Sequence, residues 1–141
     1  MNRTTLTSLR PALACAVVAA ASMIFMAFSQ PKDEVITKEG KTTIITTTTL
    51  AADVEGYAGP TPLKIYIKAG KVEKIEALPN VETPKYFALI TRQLLDKWNG
   101  LTAKKAATQE VDVVTGATFS SEAVIENVRR GINFYNKKGK K

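Results

Sequence analysis

The chain has 141 residues, of which 45% are hydrophobic and 23% charged, a balance typical of one modest globular domain. Its formal net charge is +7, but Arg3, Arg10 and the four lysines of the 137–141 tail lie at the two ends, and removing these six charges leaves +1 for the body. A basic face for nucleic acid is therefore excluded. The chain has no histidine and only one cysteine, Cys15, which excludes imidazole bases, disulfides and thiolate metal sites. Any redox chemistry must then come from a bound organic cofactor.

Residues 1–29 have the features of an export segment. The first ten residues are polar and basic, and residues 11–28 are almost entirely apolar. Ala27 and Ser29 provide the small residues that a signal peptidase recognises, so cleavage before Gln30 is one outcome. The apolar run is also close to the roughly 20 residues needed to span a bilayer, so a retained anchor is the other. Both outcomes place the rest of the chain on the exported side of the cytoplasmic membrane.

The first half of the exported part predicts a spacer followed by three strands. Residues 30–40 are polar and predict a spacer. Residues 41–52 are rich in threonine and isoleucine, and β-branched side chains favour a strand. Residues 63–67 and 72–78 alternate in part between apolar and polar, and a short turn at 69–71 joins them. This pattern predicts a β-hairpin with one buried face.

The second half predicts two main helices around a short strand. Thr83 before a proline is a suitable N-cap for a helix over residues 85–98, which an Asn-Gly pair ends. Residues 110–114 predict a short strand, and residues 121–135 predict the last helix from their helical apolar spacing. We expect an α+β domain over residues 41–136, in which two main helices pack on a small antiparallel sheet, preceded by an N-terminal hydrophobic helix.

A cluster of small and hydroxyl-bearing residues precedes the last predicted helix. Gly116 allows another group to approach the backbone closely, and Ala117 adds little bulk. Thr118 then offers a hydroxyl near a helix N-terminus, where free N–H groups and a partial positive charge suit a phosphate. A plain turn with Ser120 or Ser121 as an ordinary N-cap explains the same residues, so this stretch alone leaves both interpretations open.

The wider pattern resembles the flavinylation motif of FMN-binding domains. That motif has an aspartate, two or three spacer residues, a serine or threonine, and then Gly-Ala-Thr. The positions of this chain that match it are Asp112, Thr115, Gly116, Ala117 and Thr118.

The resemblance continues upstream of the motif. The loop at residues 56–59 is similar to the Gly-Tyr/Trp-Gly loop of the family, and residues 82–84 are similar to its Glu-Thr-Pro element. The predicted hairpin lies between them, as in the family, so the likeness covers residues 53–135. Similar domains occur in the C subunit of sodium-pumping NADH:quinone oxidoreductase and in the G subunit of the ferredoxin-linked electron-transport complex.

The resemblance implies a covalent cofactor. In this family a flavin transferase takes FMN from FAD and joins its phosphate to the last threonine of the motif, here Thr118, through a phosphoester. Thr115, Gly116 and Ala117 would then shape the phosphate pocket. Asp112 would lie where the transferase reads the motif.

The resemblance also implies which residues surround the flavin. Glu82 and Thr83 would lie beside the isoalloxazine ring or the ribityl chain, and Tyr57 and Tyr86 would pack against the ring. Simpler structural roles exist for three of these residues. Thr83 is also an N-cap candidate, Tyr86 a candidate for the helix core, and Tyr57 a candidate brace of its loop. Asp112 is likewise a candidate surface residue of a strand.

These features together predict an exported or membrane-anchored electron carrier with covalent FMN. Its partners would be the flavin transferase and membrane redox partners. No residue has the features of an acid–base catalyst or a metal ligand, so we expect no stand-alone catalysis. The alternative from a different class is a non-redox exported binding or structural module on the same fold, with an empty or noncovalent site.

Overall fold

The computed structural model describes residues 34–139. The predicted signal peptide or membrane anchor, the predicted N-terminal hydrophobic helix and the end of the basic tail lie outside the described residues. Within the described range, no helix is long and apolar enough to cross a membrane.

The sheet is an antiparallel meander of four strands in sequence order. The strands are β1 (Ile36–Glu39), β2 (Thr42–Thr46), β3 (Leu63–Lys68) and β4 (Lys71–Ala77). The predicted hairpin is confirmed as β3 and β4, whose Lys68 and Lys71 pair on either side of a two-residue turn. Alternate residues of β3 are buried, as its pattern predicts, and form one wall of the core.

Two predictions for the N-terminal strands differ from the structure. The 30–40 segment, predicted as a spacer, contains β1, an edge strand with three of its four residues exposed, which is why its composition shows no apolar alternation. The threonine-rich strand predicted over 41–52 ends at Thr46. Thr47 leaves the ladder because its hydroxyl accepts the Leu63 N–H at 2.9 Å, and turns follow.

Helices and helical turns supply the second layer. They are α1 (Pro84–Gln93), a 3₁₀ turn (Leu95–Trp98), the single turn α2 (Ala103–Ala106), α3 (Thr118–Phe134) and a π-helical turn (Tyr135–Gly139). The helix predicted over 85–98 is therefore an α-helix followed by a tighter turn, which places Trp98 fully inside the core. The predicted α+β class, with two main helices on an antiparallel sheet, is confirmed.

The strand predicted over 110–114 is wrong, and α3 begins three residues earlier than predicted. Both differences have one cause. The Val114 N–H donates to Ser121 Oγ at 3.0 Å rather than to a neighbouring strand. The Ser121 hydroxyl in turn donates to the Ala117 carbonyl at 2.7 Å, which joins the segment before α3 to the first turn of this helix.

The helix α3 lies directly against the sheet. A Cβ atom added at Gly131 would meet Ile65 Cδ1 at 2.5 Å and Thr47 Cγ2 at 3.1 Å, so the absence of a side chain there permits the close approach. The core between the two layers is mostly aliphatic, and Trp98, Phe87 and Tyr135 are its buried aromatic side chains. Its fully buried members include Ile45, Leu63, Ile65, Ile67, Val72, Ile90, Leu94, Trp98, Val124, Val128 and Ile132.

A buried polar network fixes α3 to the loop that follows β2. Thr47 Oγ1 donates to Asn127 Oδ1 at 2.5 Å, and Asn127 Nδ2 donates to the Ala123 carbonyl at 2.9 Å and to Thr61 Oγ1 at 3.5 Å. Thr47, Thr61 and Asn127 are all essentially inaccessible to solvent. Their polar groups therefore depend on each other, because no water replaces a lost partner.

We expect Asn127→Ala to lower the free energy of unfolding by about 2–3 kcal/mol, because it leaves buried hydroxyls without partners and opens a small void. Urea denaturation measures the change. Asn133→Ala is the matched control on the same helix, because Asn133 is exposed, and it should change stability by less than about 0.5 kcal/mol. Equal urea midpoints for the two variants would contradict the structural role of the network.

Candidate functional site

A cavity of about 400 Å³ opens where three segments meet: the loop after β2, the approach to α1 and the first turn of α3. Its lining residues are Tyr57, Glu82, Thr83, Tyr86, Gly116, Ala117, Thr118, Phe119 and Ser120. Seven of the nine predicted site residues are therefore brought together around one space, although they come from three distant parts of the chain.

Glu82 connects the three segments. Its carboxylate is buried and accepts the N–H groups of Ala58 at 2.8 Å and Gly59 at 3.2 Å. Its other oxygen accepts the hydroxyl of Ser120 in a short hydrogen bond. The Tyr57 N–H donates to the same Ser120 oxygen at 3.4 Å. One side chain thus holds the loop, the approach to α1 and the start of α3 in a single arrangement.

The glycines of the loop make this arrangement possible. A Cβ atom at Gly56 would lie 2.7 Å from Glu82 Oε1, and one at Gly59 would lie 2.8 Å from Val81 Cγ2. Because both distances are shorter than real Cβ contacts, any side chain at Gly56 would displace the carboxylate from the loop amides. This explains in physical terms why glycines bracket Tyr57 and Ala58.

The Glu82 carboxylate is ionised at neutral pH. Burial alone would raise its pKa, but the hydrogen bonds from Ser120 and from the backbone amides of Ala58, Gly59 and Tyr57 stabilise the anion more, and the pKa of Glu82 lies below its ordinary value. The wall of the cavity therefore carries a fixed negative charge whose oxygens are engaged by the protein itself.

Thr118 is the first residue of α3, and its side chain is exposed. Ala117 occupies the N-cap and has no side-chain group to cap the helix, and Gly116 before it adopts a positive φ of 84°. The first intrahelical bond runs from the Ser121 N–H to the Ala117 carbonyl at 2.9 Å. The backbone N–H groups of the three preceding helical residues are thus left for another acceptor. Within residues 34–139, the Thr118 hydroxyl has no hydrogen-bond partner.

The aromatic residues around the cavity are not core residues. Tyr86 is 46% exposed and Tyr57 is 76% exposed, so neither is buried in its own element. Lys85 Nζ lies 5.9 Å from the centre of the Tyr86 ring. Thr83 occupies the N-cap position of α1 with extended backbone, as predicted, but its side chain makes no capping hydrogen bond. Its hydroxyl is therefore available to the cavity.

Two predicted site residues, Asp112 and Thr115, lie elsewhere. They line a separate, more open groove of about 1,090 Å³, together with Arg92, Lys97 and Arg129. The motif segment thus separates the two concavities, with its beginning in the groove and its end in the cavity. Asp112 is exposed in a segment without regular secondary structure rather than in a strand.

Two cavity residues, Ser120 and Phe119, were not among the predicted site residues. Ser120 had only the local signal of an N-cap candidate, and its bond to Glu82 joins residues 38 positions apart, which local patterns do not encode. Phe119 had no signal, because it lies before the helix predicted over 121–135 and is not one of the motif positions that the family resemblance matches. Among the described residues, no group of acidic, cysteine or histidine side chains could hold a metal ion.

The cavity fits a flavin nucleotide. Its volume lies within the 300–1,000 Å³ that is usual for small-molecule sites, and its aromatic side chains suit a planar ring. The free N–H groups at the start of α3 suit a phosphate. Together, the fold and this site define a flavin-binding protein.

Comparison with known families agrees with this geometry. A family model described as FMN-binding domain matches residues 56–133, which is more than half of the chain. The protein belongs to the FMN-binding domain family, and FMN is the cofactor that its site accommodates. The matched range runs from the loop through the hairpin and the Glu82 segment into α3. A search of curated proteins finds no match.

Proposed function

We propose that the protein is an exported or membrane-anchored flavoprotein that carries electrons through FMN joined by a phosphoester to the Thr118 hydroxyl. The observation that carries the proposal is the position of this hydroxyl. It is exposed, free of hydrogen bonds within the described residues, and located at the cavity on the first residue of α3. A flavin transferase can therefore reach it without unfolding the domain.

The chain supplies the oxygen that is esterified and the groups that would orient the phosphate, and a flavin transferase makes the bond. Attachment forms a bond between Thr118 Oγ1 and the FMN phosphorus, breaks the pyrophosphate bond of FAD and releases AMP, and the hydroxyl proton passes to a base of the transferase. The free N–H groups at the start of α3 would be the chain's hydrogen-bond donors to the phosphate. When bound, FMN supplies one- or two-electron reduction and reoxidation, which side chains cannot supply.

The cavity supports a carrier rather than a stand-alone enzyme. Glu82 is the only carboxylate among its lining residues in the described part of the chain. Because that carboxylate accepts hydrogen bonds from Ser120 and from the loop amides, it is committed to holding the site together. A carrier needs no such catalytic group, because the flavin has only to be accessible to the partner that reduces it and to the partner that reoxidises it.

Covalent attachment suits an exported domain, because an FMN that dissociates outside the cytoplasm is lost. The 1–29 segment would deliver the domain across the membrane and, if uncleaved, keep it beside membrane redox partners. The proposed location is the cell envelope, on the exported side of the cytoplasmic membrane.

The full chain co-produced with a flavin transferase tests this proposal. We expect a protein band that fluoresces after a denaturing gel, because a phosphoester survives denaturation, and an intact mass increased by one esterified FMN. The same mass shows whether the 1–29 segment has been removed. A non-fluorescent band of unmodified mass would contradict covalent attachment.

A further inference from the structure

The exposed apolar side chains of the domain are concentrated at the cavity. In the part of the chain that the structure describes, the large hydrophobic residues with high exposure are Tyr57, Val81, Tyr86, Val113 and Phe119. Three of them line the cavity. Phe119 is the most unusual, because 66% of it is exposed although it has no polar atom to hydrate. Concentrated exposed apolar surface at a concave site indicates a ligand with apolar surface of its own.

The backbone segments that carry Phe119 and Tyr57 are both hydrogen-bonded to the Glu82 carboxylate. Phe119 lies between Thr118 and Ser120 in the first turn of α3, and Ser120 donates to Glu82. Glu82 also holds the amides of the residues that follow Tyr57. The two exposed rings therefore belong to segments whose separation is fixed by the same carboxylate, although the rings themselves are solvated.

We propose that Phe119 contacts the isoalloxazine ring, and that Phe119 and Tyr57 together cover the ring from solvent. The inference rests on the proposed attachment at Thr118. A flavin tethered there begins next to Phe119, and the cavity that can receive its ring is lined by both aromatic side chains. Packing of phenylalanine against a planar aromatic ring removes apolar surface of both partners from water. Phe119 is thus a flavin-binding residue that is exposed only until the cofactor is attached.

Acrylamide quenching of flavin fluorescence tests the contact in the flavinylated full chain. Phe119→Ala should keep the FMN mass and fold, while its quenching constant rises towards that of the same flavinylated protein unfolded in urea. Val81→Ala is the matched control, because Val81 is 70% exposed and adjoins Glu82 but does not line the cavity. It should give the wild-type constant. An unchanged constant in Phe119→Ala with full FMN mass would overturn the contact.

Phe119→Trp provides a second, independent readout that keeps a large apolar side chain. An indole in contact with the flavin quenches its emission, so this variant should emit several-fold less flavin fluorescence than the wild-type protein, whereas Val81→Trp should not. Equal emission from Phe119→Trp and wild type would also overturn the contact. Failure of the proposed function has a different signature, because the wild-type protein would then carry no FMN mass at all.

Discussion

Thr118→Val should give a folded protein that acquires no covalent flavin. Valine has nearly the shape of threonine, so the substitution removes little more than the oxygen that would be esterified. Because the Thr118 hydroxyl has no hydrogen-bond partner among the described residues, its loss should change the free energy of unfolding by less than about 0.5 kcal/mol. Intact mass and fluorescence of the denatured band, after co-production with a flavin transferase, measure the effect.

Two variants make the Thr118 experiment specific. Thr118→Ser keeps a hydroxyl at the same residue and should retain flavinylation. Thr108→Val removes the hydroxyl of another exposed threonine, which lies outside the cavity, and should leave flavinylation unchanged. A full FMN mass on Thr118→Val would place the attachment on another residue and contradict the assignment.

Glu82→Ala should be the most destabilising substitution in the site. It removes the acceptor of the Ser120 hydroxyl and of the Ala58 and Gly59 amides, and it leaves these donors inside the structure. Hydrogen bonds to a charged acceptor contribute about 1.5–3 kcal/mol each and are not additive, so we expect a loss of about 3 kcal/mol in the free energy of unfolding. Because the loop carries Tyr57, flavinylated Glu82→Ala should also expose its flavin more to acrylamide.

Matched variants separate the contribution of the Glu82 charge to stability from the contribution of its side-chain shape. Glu82→Gln should lose less stability than Glu82→Ala, since its amide oxygen can still accept the loop N–H groups and its amide nitrogen can donate to Ser120. Glu122→Ala removes an exposed glutamate of the same helix that carries Ser120 and should have little effect. Urea denaturation of the three variants gives the order. A Glu82→Ala protein as stable as Glu122→Ala would contradict the connecting role of Glu82.

The same carboxylate predicts a pH dependence with a definite sign. The pKa of Glu82 is lowered in the folded protein from its ordinary value of 4.5. The stabilisation from its ionised form is therefore fully present above pH 4.5 and is lost as the pH falls through the lower pKa of the folded state. The difference in free energy of unfolding between wild type and Glu82→Gln should be constant near neutral pH and shrink on acidification. A difference that grows below pH 4.5 would reverse the assigned sign.

Local sequence patterns predicted the secondary-structure elements that depend on residues close together in the chain. The hairpin of β3 and β4 follows from alternation over a few residues around a tight turn, and α1 follows from Thr83-Pro84 and helical spacing. The motif ending at Thr118 and the segment at Glu82 were identified as site elements by family resemblance, and the structure brings Glu82 and the last three motif residues, 116–118, to the same cavity. The flavin role of each residue stays a prediction for the experiments above.

Interactions between distant residues decided the rest. Thr47 leaves the sheet because its hydroxyl accepts the Leu63 N–H, and the same hydroxyl donates to Asn127, which lies 80 residues away in the chain. The 110–114 segment has strand-forming residues, but Val114 finds its partner in Ser121 rather than in a strand. In both places a side-chain oxygen, rather than a backbone carbonyl of a neighbouring strand, accepts a backbone N–H. Which acceptor is within reach depends on the fold and not on the local sequence.

The amino-acid sequence by itself determined the class of the domain, the hydroxyl at Thr118 and the absence of histidine, because these depend on residue identity and local spacing. Only the tertiary structure decided that Glu82, Ser120 and the loop amides form one centre, and that Phe119 stands exposed beside Thr118 rather than in the core. The physical reason is that a buried carboxylate needs donors from wherever the chain can supply them, and here they come from two segments that are distant in sequence.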